Sequence, residues 1–171
     1  MKIIFVMGPS CAGKSTFIKK NFPDMKVLDL FEYEERIGFS IPAIKEAYKQ
    51  IEKDLVDCVK NNEDIIMEHT LLKAIRREVY IKAIKEVSDS PIIGYFLLPS
   101  DDEIKANAKK RRVKMSDSEL KNVREILDIP SVEEGFSEIH IVDKNLYKNW
   151  YIEQKAQKNF WAFYIFIMSL V

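Results

Sequence analysis

Cysteine and histidine are nearly absent from this chain. Cys11, Cys58, His69 and His140 are the whole complement in 171 residues. Two cysteines cannot build a disulfide framework, which fits a reducing compartment. The four residues show no metal-ligand spacing, so no zinc site is expected. Net charge is missing as well, because 27 Lys and Arg offset 27 Asp and Glu. No global field therefore draws the chain to nucleic acid or to an anionic membrane, although a local basic patch is compatible with this balance. The uncharged run Phe160–Val171 is shorter than the ~20 residues a spanning helix needs. It reads as a C-terminal element packed on the core, with a membrane-surface anchor or a partner interface as alternatives. Internal repeats and low-complexity linkers are also lacking. A chain of this length predicts one domain, residues 1–171. It opens on a strand-like run rather than a leader, and a cytoplasmic location is expected. The oligomeric state has no signature.

What is present is concentrated near the start. Gly8-Pro9-Ser10-Cys11-Ala12-Gly13-Lys14-Ser15-Thr16 reads G-x-x-x-x-G-K-S, a phosphate-cradling loop. The apolar run Lys2–Met7 before it suits a buried parallel strand, and Lys14–Asn21 after it suits a helix. The two glycines free the backbone, so that loop N–H groups face phosphate oxygens at the positive end of that helix. Lys14 is expected to reach the β- and γ-phosphates, and Ser15 to give its hydroxyl to Mg²⁺. Cys11 reads as a small residue filling a variable loop position.

Strand and helix patterns alternate through the rest of the chain. Strands are expected at Lys26–Leu30, Asp64–Glu68, Pro91–Leu98 and Ile139–Val142. Phe31–Phe39 mixes acids and aromatics and has no assignment. Ser40 and Pro42 open a helix that ends at Asn61-Asn62. A helix over Lys73–Val87 is expected to bury Ile75, Val79, Ala83 and Ile84. Ser100–Glu103 is a capping box, and Asp117–Leu127 is read as helical. Such alternation means βαβ units and a parallel sheet covered on both faces.

Ligands of such sheets bind at the carboxyl ends of the strands. Asp29 ends the second strand and Glu68-His69-Thr70 the third. A carboxylate there suits a substrate hydroxyl or a Mg²⁺-bound water. His69 is a candidate for orienting substrate, and Arg76 or Arg77 for reaching substrate phosphate. Lys105, Lys109, Lys110, Arg111, Arg112 and Lys114 form a basic run after the fourth strand. It is either a solvated face or a lid over residues 105–128 whose arginines meet the transferring phosphoryl group.

At four stretches the chain resembles the polynucleotide-kinase-like P-loop kinases, a group near the zeta-toxin and small-molecule kinases. These are Gly8–Thr16, Asp64–Leu71, Asn107–Arg111 and Pro130-Ser131-Val132-Glu133-Glu134-Gly135-Phe136. The resemblance implies a three-layer αβα P-loop NTPase fold, with strand order 2-3-1-4-5 and a helical lid. It implies ATP and Mg²⁺, and transfer of the γ-phosphoryl group to a hydroxyl of a nucleic-acid end, a nucleotide or a small metabolite. Net charge does not favour the nucleic-acid acceptor. Lys14, Asp29 as base and Arg111 are the expected catalytic residues. Gly8–Thr16 and Arg112 are expected at the nucleotide, Glu68, His69 and Arg76 at the acceptor, and Ser15 at the metal. The chain departs from the family pattern at Glu68-His69-Thr70, where Asp-Thr-Asn is usual. Ala106 stands where an arginine often precedes the lid asparagine. Glu32 and Glu34 follow Asp29, with Arg36 the nearest arginine. Alternatives are a nucleoside or nucleotide monophosphate kinase, and an ATP-hydrolysing switch acting through a partner.

Overall fold

The structure, a computed structural model, describes residues 1–142. The apolar tail singled out above lies outside the described residues. The elements in order are β1 (Ile3–Met7), α1 (Lys14–Asn21), β2 (Lys26–Asp29), α2 (Leu30–Ile37) and α3 (Ile41–Lys60). They continue with β3 (Ile65–His69), α4 (Ala74–Lys85), β4 (Ile92–Leu97), α5 (Asp101–Lys110) and α6 (Asp117–Ile126). A short 3₁₀ turn, Val132–Glu134, then leads to β5 (Glu138–Val142).

The five strands form one parallel sheet in the order 2-3-1-4-5. The order expected from the resemblance is therefore observed. Central β1 is buried along its whole length, which is why it carries no polar residue in alternation. Its side chains divide the interior in two. Ile3, Phe5 and Met7 pack with residues of α2, α3 and α4, and Ile4 and Val6 with Ala12 and Ile18 of the loop and α1. A third cluster joins Cys11 of the loop to Ile104, Ala108 and Leu120 of α5 and α6.

Two expectations change. The stretch Phe31–Phe39 is mostly helix. Strand β2 stops at Asp29, whose carboxylate accepts from the Phe31 amide at 3.0 Å and caps α2 directly. Leu30 thus belongs to α2 and not to β2. On α4, Ile75 and Val79 are exposed, while Arg77, Tyr80, Ile81 and Ile84 are buried. The helix turns a charged residue inward because Arg77 finds partners there. Its guanidinium donates to both oxygens of Glu134, at 2.7 Å from one nitrogen, and to the Leu71 carbonyl at 2.8 Å. Arg77 is fully buried, so it fastens α4 to the segment before β5 and does not face a ligand.

Candidate active site

Helix starts leave backbone amides unpaired, and side chains usually satisfy them. Asp29, Ser40, Ser100 and Ser116 cap α2, α3, α5 and α6. The Asp128 carboxylate accepts from the first amide of α4 at 3.0 Å. Among the described helices α1 alone lacks such a cap, and its first turn carries no acid. Its amides remain free for an anion.

The loop holds its curve through φ values of 139° at Gly8, 62° at Cys11 and 90° at Gly13. A Cβ on Gly8 would stand 2.2 Å from the Leu97 carbonyl oxygen, whereas one on Gly13 would meet nothing within 4 Å. The Gly8 amide donates to the Thr70 carbonyl, tying the loop to the end of β3. Lys14 lies against the loop, its Nζ donating to the carbonyls of Gly8 at 3.2 Å and Pro9 at 3.0 Å. Burial lowers the Lys14 pKa, against the pull of Glu68 and Asp29.

A cavity of about 520 Å³ opens beside the loop. Ser10, Cys11, Lys14 and Ser15 of the loop line it, with Asp29, Glu34, Glu68, His69, Thr70 and Arg111. The Ser15 hydroxyl donates to Glu68 at 2.8 Å. Burial raises the Glu68 pKa, the Ser15 hydrogen bond opposes that, and neighbouring Asp29 adds to it. Burial, then Asp29, also raises Glu34. A hydroxyl beside a carboxylate fits the hard oxygen ligands that Mg²⁺ takes, a few at a time with water completing the shell. No cluster of three or more His, Cys, Asp or Glu poised to hold a metal by themselves occurs among the described residues.

Across the loop lies a second cavity, of about 790 Å³, lined by Gly13, Thr16, Asn107 and Arg111 among others. The Asn107 amide donates to the Cys11 carbonyl at 3.0 Å, pinning α5 to the loop. Arg111 borders both cavities.

Three kinase structures share this arrangement of sheet and helices. A candidate kinase from Chloroflexus aurantiacus matches over 92% of this chain and 96% of its own, at 16% identity and a TM-score of 0.66. A sugar kinase from Janibacter sp. matches over 84% and 85%, at 16% identity and 0.58. A gluconokinase from Sinorhizobium meliloti matches over 84% and 83%, at 18% identity and 0.56. This chain has the P-loop kinase fold. No protein-family model and no curated protein sequence matches it.

Within that P-loop kinase fold the expected site residues separate into two groups. Lys14, Ser15, Asp29, Glu68, His69 and Arg111 meet around one cavity. Arg112 and Arg76 do not join them. Arg112, at φ 57°, lines a different depression with Lys105, Lys109 and Lys114. Arg76 is exposed on α4 and outside the lining. Glu32 is exposed, whereas Glu34 faces the cavity one helical position pair later. His69 is buried, and burial brings its pKa down to about 3, so the ring is neutral. Its Nδ1 accepts from the Leu71 amide at 3.3 Å.

Leu30, Phe31 and Val113 line the cavity without a sequence expectation that placed them there. The sequence signal for Phe31 was its place two residues after a strand-end carboxylate. The Pro130–Phe136 segment of the resemblance serves the scaffold instead. Glu134 holds Arg77, and Phe136 packs edge-on against Phe5 at 5.6 Å. No helix among the described residues is long and apolar enough to cross a membrane.

Proposed function

We propose that the chain is an ATP-dependent kinase that transfers the γ-phosphoryl group of ATP to a hydroxyl acceptor. The observation that carries this reading is the uncapped start of α1, facing a cavity that also collects Lys14, Ser15, Glu68, Asp29 and Arg111. Loop amides 13–16 and Lys14 hold the phosphates, and Lys14 exchanges its two carbonyl contacts for phosphate oxygens. Ser15 and Glu68 would hold Mg²⁺, which would neutralise charge on the phosphates. Asp29 orients the acceptor hydroxyl and takes its proton as the new O–P bond forms and the bond to the β-phosphate oxygen breaks. Its Phe31 contact keeps the carboxylate in one orientation. Arg111 stabilises the charge on the phosphoryl group in transit.

The test is ATP turnover by Lys14→Ala alongside circular dichroism. Turnover falls to background while the fold is retained. Wild-type turnover in that variant would refute the kinase reading.

A further inference from the structure

The active-site cavity is lined by three carboxylates, Asp29, Glu34 and Glu68, and by two cations, Lys14 and Arg111. Both cations belong to the phosphate loop and the end of α5, where ATP would engage them. Asp29, Leu30, Phe31 and Glu34 come from the end of β2 and from α2, and His69 and Thr70 from the end of β3. No lysine or arginine is among these residues. Arg76 lies outside the lining, and Arg36 rests over the Tyr33 ring, 4.7 Å from its centroid.

We infer that the acceptor is a small polyhydroxylated molecule without an anionic group, neutral or amine-bearing, and not a nucleotide or a nucleic-acid end. This rests on the kinase reading and names the substrate class within it. An acceptor that carries its own phosphate would bring that charge against Asp29 and Glu34, while the two lining cations are engaged by ATP. Juxtaposed like charges are a strong means of rejecting a wrong partner. Carboxylates and the Thr70 hydroxyl are instead good acceptors for a row of O–H or N–H donors.

His69 adds an independent observation. Its Nδ1 accepts from the Leu71 amide, so the neutral ring carries its proton on Nε2. That nitrogen is buried and without a partner among the described residues. Its hydrogen-bonding capacity is unspent, although the residue lines the cavity. At the rim, Phe31 is 54% exposed and packs on Phe39, itself 60% exposed, with ring centroids 6.2 Å apart. This apolar ledge matches the C–H face of a compact polyol. The cavity, about 520 Å³, is of the size that encloses a small molecule.

The experiment uses the full chain with radiolabelled ATP and four acceptor groups: neutral sugars and polyols, amino sugars, nucleoside monophosphates, and oligonucleotides with a free 5′-hydroxyl. ATP binding is measured separately by calorimetry. The non-anionic groups are expected to give kcat/KM at least about 10²-fold above the anionic ones. Glu34→Lys is expected to narrow that ratio by about tenfold or more, and Glu34→Gln, which keeps the shape, by less. Better turnover of nucleotides or oligonucleotides, or an unchanged ratio in Glu34→Lys, overturns the inference while leaving the kinase reading intact. So does ATP binding with no transfer to either non-anionic group. A chain that binds no ATP overturns both.

Discussion

Arg77 and Arg111 are the same residue type under opposite conditions. Arg77 is fully buried on α4, its guanidinium shared between Glu134 and the Leu71 carbonyl. Arg111 is exposed at the end of α5, between two cavities, and no ion pair holds it among the described residues. A buried charge is stable only when every donor has a partner, and removing that partner is costly. An arginine with unspent donors beside a phosphate loop is available for chemistry. The sequence places both in basic, helix-forming stretches, and only the distant Glu134 separates their roles.

The comparison is broken most directly at Arg77. Arg77→Ala is expected to destabilise the fold by about 3–5 kcal/mol, by stranding Glu134 and opening a void. Urea unfolding measures it, and a loss below about 1 kcal/mol would make the pair decorative. At the other extreme, Asp29→Asn separates chemistry from scaffold within one residue. Asparagine caps a helix as well as aspartate does, so stability stays level while kcat falls by about 10²–10³-fold. A variant that transfers at the wild-type rate would move the base to Glu34, another carboxylate that lines the cavity.

Arg111→Ala completes the contrast. Its kcat is expected to drop about 10²-fold at saturating ATP, with unfolding unchanged. Arg112→Ala, in a separate depression, is the control and should stay within about twofold. Equal effects at the two positions would mean that the basic run acts through overall charge, not through one guanidinium.

The last contrast is with a buried group that stays neutral. The pKa of His69 lies near 3 in the folded chain, against an ordinary 6.5. Between those values the unfolded chain binds a proton that the folded chain refuses. Stability is therefore complete above about pH 6.5 and falls towards pH 3, with a slope from this group of roughly 1 kcal/mol per pH unit. Glu34 and Glu68, whose pKa values are raised, act in the opposite sense as they take up protons. The difference between wild type and His69→Gln, unfolded at pH 7, 6, 5 and 4, isolates the histidine. A constant difference across that range would contradict the burial argument.

Some of this is legible in the amino-acid sequence. A parallel strand buried on both faces is an unbroken apolar run, so β1 and β4 are plain in the sequence. The loop is plain because its chemistry fixes its spacing. The strand order came through the resemblance, since local patterns say nothing about which strand lies beside which. Helix α2 was hidden because it starts where β2 ends, with Asp29 serving both and no loop residues to mark the change. The buried face of α4 was misassigned because Arg77 is paid for by Glu134, far along the chain. At the site, Glu34 and Glu32 look alike in the sequence. The rotation of α2 turns only Glu34 to the cavity.

One loop, two glycines, and two different prohibitions result. At position 8 the obstacle is the backbone oxygen of Leu97, a fixed part of β4. At position 13 there is open space, and only the φ of 90° resists a side chain. Asparagine and aspartate tolerate left-handed backbone better than other residues with a Cβ. A saturation library sorted for folded protein would therefore return those two residues beside glycine at position 13. At position 8 it would return glycine alone.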